Sequence, residues 1–186
     1  MSSMTSTGPG PASTGVLRAD QVTIRPAAEA DLDAIVAFEI EIAVVSFGDE
    51  AITDPALHRR RVSGALGRAG EVTLVAASAA DPGQVLGWAW LSSRTNSLTG
   101  AVYGNFRSLA VAAGPARPLI GELLLAAVLA AAEAGGMTQL TGKVHAGNLG
   151  MRALYRKFGF AATHLTMERR LPADPGGAAQ GGDPAP

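Results

Sequence analysis

Cysteine is missing from this chain, which removes disulfides, thiolate zinc sites and cysteine nucleophiles. Long apolar runs are missing too. The most apolar stretch, Leu119 to Ala134, is interrupted by Gly121, Glu122 and Glu133 and is too short to cross a bilayer. No basic, then apolar, then small-residue succession opens the chain, so no secretory signal is expected and the cytoplasm is the expected location. Charge of one sign is not in excess: 15 Lys and Arg stand against 16 Asp and Glu, so the net charge by itself indicates no partner.

What remains suits one domain of ordinary size. The chain has 186 residues, and its 47% hydrophobic content is high for a soluble protein, although alanine supplies much of it. Residues 1–20 are rich in Ser, Thr, Gly, Pro and Ala without a period, and residues 172–186 are similar; both are expected to be disordered tails. The domain is expected to span residues 21–171, with no internal repeat.

Hydrophobic periodicity divides that span. Gln21 to Arg25 alternates as a strand and is closed by Pro26. Acidic residues then open a helix whose stripe, Leu32, Ile35, Val36 and Ile42, continues to about Val45 or Phe47. Asp54-Pro55 caps a second helix, Ala56 to Arg68. Strands follow at Val72 to Ala76 and Gln84 to Ser92, joined as a hairpin by the Asp81-Pro82-Gly83 turn, and then at Ala101 to Val111. An alanine-rich helix occupies Leu119 to Ala134 and stops at Gly135-Gly136. Leu140 to His145 reads as a strand whose Gly142 allows something to approach closely. Asn148 caps a helix carrying Met151, Leu154, Tyr155 and Phe158 on one stripe, and Gly159 stops it. His164 to Leu171 is the last expected strand. Hairpins mixed with crossover helices imply an α/β fold with a sheet of mixed direction.

The strand–Asn–helix–Tyr–Gly-Phe unit, from Gln139 to Phe160, resembles the second half of the GNAT N-acetyltransferase fold. Asn148 and Tyr155 have the family's N-x6-Y spacing, and Gly159-Phe160 follow it. The opening Ile24-Arg25-Pro26 and the acidic helix start are similar to the family's first strand and helix, and the element order matches over residues 21–171. The resemblance implies a mostly antiparallel central sheet flanked by about four helices. It also implies acetyl-CoA as co-substrate and direct attack by a primary amine of a small molecule or peptide.

Carried over residue by residue, it makes Tyr155 the general acid for the leaving thiolate and places Asn148 on the pantetheine arm. The oxyanion donor maps to a backbone N–H at Val111 or its neighbours Leu109 and Ala110. The pyrophosphate loop, in which the family uses Arg or Gln, two residues, Gly, one residue, then Gly or Ala, departs from pattern. Ala116 and Leu119 replace its first two signature residues, Pro118 lies between them, and only Gly121 survives, with Arg117 as a displaced charge. Glu39, Glu41, Asp49 and Glu50 are candidates for the base, and Glu41 is selected. His145 and His164 are read as packed or rim histidines.

Every ionisable residue from Glu29 to Asp54 is acidic, whereas residues 101–171 are mainly basic, which would sort a cationic amine from a polyphosphate cofactor. Trp88 and Trp90 share one sheet face, where they would pack in the core or line the acceptor cleft, and the core is preferred. His58-Arg59-Arg60-Arg61 is read as a solvated helix face, not a nucleic-acid patch. No metal, nucleic-acid or membrane partner is expected, and a homodimer is an option. The altered loop motivates a second reading: an inactive GNAT-like domain that binds a ligand or a protein.

Overall fold

The computed structural model describes residues 17–163 together with Met167 and Arg169. Among these residues five strands form one sheet in the order β1-β2-β3-β4-β5. β1 (Val22–Pro26), β2 (Glu71–Ser78), β3 (Val85–Thr95) and β4 (Val102–Val111) pair antiparallel in sequence order. β5 (Gln139–Thr141) joins β4 in parallel. Helices α1 (Leu32–Phe47) and α2 (Pro55–Ser63) precede β2, α3 (Arg117–Ala134) crosses from β4 to β5, and α4 (Leu149–Lys157) follows β5. The expected mixed, mostly antiparallel sheet with four helices is therefore present. The last expected strand, His164 to Leu171, lies almost wholly outside the described residues, as do residues 1–16 and 172–186.

Two apolar layers sandwich the sheet. On one face, Leu32, Ile35 and Phe38 of α1 and Val62 of α2 pack on Val75, Trp88, Trp90 and Ala110. On the other, the α3 stripe of Ile120, Leu124, Leu125, Val128 and Ala132 packs on Ala76, Ala89, Leu91, Leu109 and Val111. α3 lies close because residue 87 is glycine. A Cβ there would stand 2.9 Å from Leu124 Cδ1 and 3.0 Å from the Ala110 carbonyl oxygen.

The helix α1 starts later than the periodicity predicts, because a carboxylate shapes the entry. Asp31 accepts from Arg25 Nη1 and Nη2 at 2.7 and 2.8 Å and from the Ala28 amide at 2.8 Å, closing a short 3-10 turn before Leu32. The Arg25 guanidinium chiefly holds the Asp31 carboxyl below the ordinary carboxylate range, with burial opposing it. A depressed folded-state pKa stabilises the fold above the unfolded value, and that stability disappears as pH falls through the folded one. Asp31→Ala should therefore cost roughly 1.5–3 kcal/mol near neutrality. Urea midpoints should show this difference shrinking below the usual carboxylate range; a difference constant with pH would refute the assignment.

Three further features differ from the sequence expectation. α2 ends at Ser63 rather than Arg68, and its face is not simply solvated. His58 is buried with Nε2 donating to the Ile52 carbonyl at 2.8 Å, Arg59 pairs with Asp33, and Arg61 reaches Glu39 at 3.6 Å. β5 holds only three residues, not the six expected, because the chain leaves β4 at Gly142 to pass over Tyr155. Finally, the β3–β4 register shifts between Trp90, opposite Ser108, and Leu91, opposite Phe106. Arg107 is the extra residue of this bulge, which brings Phe106 onto the α3 face with Leu109 and Val111.

Candidate active site

The short β5 creates the principal cleft. β4 pairs with it only at Tyr103, Gly104 and Asn105, so Phe106 to Val111 have no strand on that side among the described residues. The Ala112 amide donates to Leu86 of β3, so by alternation Ala110 also points its amide toward β3. The Leu109 and Val111 amides consequently face the opening. A cavity of about 980 Å³ occupies it, walled by the end of α1, β4, the start of α3, the segment after β5, and α4.

α4 brings the Asn–Tyr spacing to this wall. Asn148 Oδ1 accepts from the Met151 amide at 3.0 Å, the cap expected of it, and also lines the cavity. Tyr155 lies two turns further on, buried, stacked on Phe160 at 4.8 Å and tilted against Phe106 at 5.8 Å. Gly159, at φ +81°, ends the helix and returns the chain to place Phe160 there. A Cβ on residue 142 would stand 2.9 Å from the Tyr155 oxygen, which explains glycine at that position. Burial pushes the Tyr155 phenol up to about 12, so it remains protonated and able to donate throughout the physiological range.

Glu41, Leu109, Val111, Arg117, Gly121, Asn148 and Tyr155 all border this one cavity. Leu119 does not: its half-buried side chain is no part of the cavity wall. The backbone of that turn is nevertheless sparing in donors. The Arg117 and Ile120 amides are committed to the Gly114 and Ala116 carbonyls, and Pro118 has none. Leu119 then carries the one first-turn amide with no acceptor among the described residues. Arg117 and Lys143 add positive charge to the rim, while Lys157 pairs with Glu122 at 2.5 Å.

The candidate bases separate sharply. Glu39 is buried, accepts from Trp88 Nε1 at 2.8 Å and faces Arg61, so it anchors α1 to the sheet and is withdrawn from the cleft. Glu41 is exposed on the cavity wall, whereas Asp49 and Glu50 do not line it. The acidic stretch is correspondingly less acidic than its sequence, since Asp31, Asp33 and Glu39 each meet an arginine. His145 lies in a turn rather than on a strand, its Nδ1 accepting from the Gly147 amide at 3.1 Å. His164 lies outside the described residues.

Sequence reasoning missed Ser108. Its side chain is buried on the cavity wall beside the bulge, and its hydroxyl has no partner among the described residues. The only local signal was a polar residue inside an otherwise apolar strand end. Among the described residues no three His, Asp or Glu side chains converge as metal ligands, and no helix is long and apolar enough to cross a membrane.

A sheet opened at β4 thus faces, across one gap, a capped helix that presents a buried tyrosine. Residues 36–160 match the model of the acetyltransferase (GNAT) family, and the chain belongs to that family. Solved structures agree on the fold. A possible acetyltransferase from Clostridium difficile superposes with TM-score 0.64 at 17% identity, covering 83% of this chain and 99% of that one. An acetyltransferase from Trypanosoma brucei gives 0.60 at 20%, covering 81% and 99%. The aminoglycoside 6'-N-acetyltransferase AAC(6')-Ih from Acinetobacter baumannii gives 0.61 at 17%, covering 82% and 99%. No curated protein sequence matches.

Proposed function

We propose that this acetyltransferase moves the acetyl group of acetyl-CoA to a primary amine of a small molecule or peptide by direct attack. The observation that carries the reading is the inward-facing edge of β4, whose Leu109 and Val111 amides meet Tyr155 and Asn148 across one cavity. Acetyl-CoA would supply an activated thioester carbonyl. The β4 amides would hold that carbonyl oxygen as it gathers negative charge. The exposed Arg117 and the Leu119 amide would meet the diphosphate at the start of α3, helped by the positive end of the helix.

The acceptor is an ammonium ion near neutral pH if its pKa is close to ~10.4, so it must first lose a proton. Glu41 would take it, directly or through water, a reading supported by its being the one candidate carboxylate that borders the cavity while open to solvent. The C–N bond then forms, the C–S bond breaks, and the nitrogen sheds a second proton as the sulfur gains one. Tyr155 stands ready to donate at the sulfur. From about 12 its full transfer to a thiolate of ordinary basicity, ~8.5, is uphill by roughly 5 kcal/mol. Its contribution is therefore a strong hydrogen bond as the thiolate forms, with the net proton returning from the nitrogen. Residues 21–171 are proposed as the functional domain, in the cytoplasm, with a homodimer as one assembly.

The scarcity of uncommitted amides in the first turn of α3, Leu119 alone among the described residues, favours one competing reading, a GNAT domain without catalysis. Isothermal titration with CoA separates the two. Saturable binding, weakened several-fold by Arg117→Ala, is expected. Heats no larger than dilution at millimolar CoA would remove the enzyme reading.

A further inference from the structure

Outside the catalytic cleft, the described residues gather four arginines at a recess of about 250 Å³ beneath α2, at the β2–β3–β4 edge. Arg61, Arg68, Arg94 and Arg107 converge on it with Glu71 as the one carboxylate, and Trp90 forms part of its wall. We propose that this recess binds an oxyanion, carboxylate or phosphate, carried by the acceptor amine, so that the acceptor class is an amine with an anionic group. The proposal rests on the acetyl-transfer reading above.

Glu71 offsets only part of the arginines' charge. Its Oε2 accepts from Trp90 Nε1 at 2.7 Å and from Ser92 Oγ at 2.5 Å, and its nearest cation, Arg94, is 4.0 Å away. It also fixes the indole. Over that indole stand two guanidiniums, Arg61 at 5.1 Å and Arg107 at 5.6 Å from the ring centroid. The ring partly compensates each cation without supplying a negative charge to neutralise it. Arg68 and Arg107 have no ion-pair partner among the described residues, and Arg61 has only Glu39 at 3.6 Å. An oxyanion among these side chains would receive charge-assisted, forked hydrogen bonds.

The recess also has the right address. Arg107, the extra residue of the β4 bulge, borders both this recess and the catalytic cavity. Beside it, the buried unpartnered hydroxyl of Ser108 lines the cavity. A ligand reaching from Ser108 past Arg107 would bring its amine to the cleft and its anion to the recess. The cations at the α3 and α4 end, Arg117 and Lys143, border only the cavity, so the two positive regions serve different groups.

The chain has two tryptophans, so its indole N–H signals in a nitrogen–proton correlation spectrum are two, assignable with Trp90→Phe. Inorganic phosphate or acetate should move the Trp90 signal saturably, and the Trp88 signal far less, where chloride at equal ionic strength does not. Arg68→Gln and Arg94→Gln, both outside the catalytic cavity, should weaken this binding about tenfold each. The more strongly bound of phosphate and acetate names the class. In acetyl-transfer assays, an amine bearing that group should exceed its neutral ester or amide in kcat/KM, and Arg68→Gln should raise its KM alone. A chloride-like response to both anions overturns the recess as a site. Equal kcat/KM for anionic and neutral amines overturns the acceptor assignment, whatever the anions do. Saturation by an anion with no amine acetylated leaves the anion site standing and defeats the acetyl-transfer reading instead.

Discussion

Tyr155→Phe should lower kcat for acetyl transfer by about a hundredfold while leaving CoA affinity and the fold nearly unchanged. The hydroxyl makes no hydrogen bond among the described residues, whereas the ring packs on Phe106 and Phe160. Phenylalanine therefore keeps the packing and removes only the donor. General acids contribute roughly 10²–10⁴-fold, and a phenol raised to about 12 belongs at the lower end of that range. The leaving group gives the sharper measurement. An acetyl thioester whose thiol is much more acidic than CoA needs little help, so the variant's deficit should nearly vanish with such a donor. A deficit independent of thiol acidity would show that Tyr155 acts by shape; no deficit at all would remove it from the mechanism.

Glu39→Ala should cost roughly 2–4 kcal/mol of stability, read as a lower urea midpoint at unchanged slope. The substitution leaves the Trp88 indole N–H buried without its acceptor, frees Arg61 from its carboxylate and opens a void between α1 and β3. Glu39→Gln, which retains an accepting oxygen, should cost about half as much. At temperatures where both variants remain folded, kcat should stay within about twofold of the parent, because Glu41 and not Glu39 borders the cavity. A loss of less than about 0.5 kcal/mol in the alanine variant would contradict the anchoring role.

The contrast between Tyr155 and Glu39 shows what a linear chain displays. Asn148 and Tyr155 belong to one short helix, and its 3.6-residue period, its cap and its glycine stop fix their relation locally. The same local logic made the strands legible as elements, and the Asp81-Pro82-Gly83 turn made the pairing of β2 with β3 legible too. Glu39 acquires its role only from Trp88, 49 positions away, and taken alone it is one more acid on a helix. The bulge at Arg107 was hidden for a related reason. It contains neither glycine nor proline, and it arises from how β3 and β4 must register to put both Phe106 and Leu109 under α3. The early end of β5 follows from the seating of Tyr155, again a contact made across the fold.

The unpaired run of β4 has one more result, concerning the company the protein keeps. A long strand with free amides and carbonyls ordinarily invites a neighbour's strand and, through it, aggregation. Here that inviting side is turned into the molecule's interior and screened by α4, while the outer borders are left to β1, which ends in Pro26, and to a β5 only three residues long. Among the described residues the outer borders of the sheet are thus its two shortest strands, and the most adhesive stretch of main chain lies along the cleft instead.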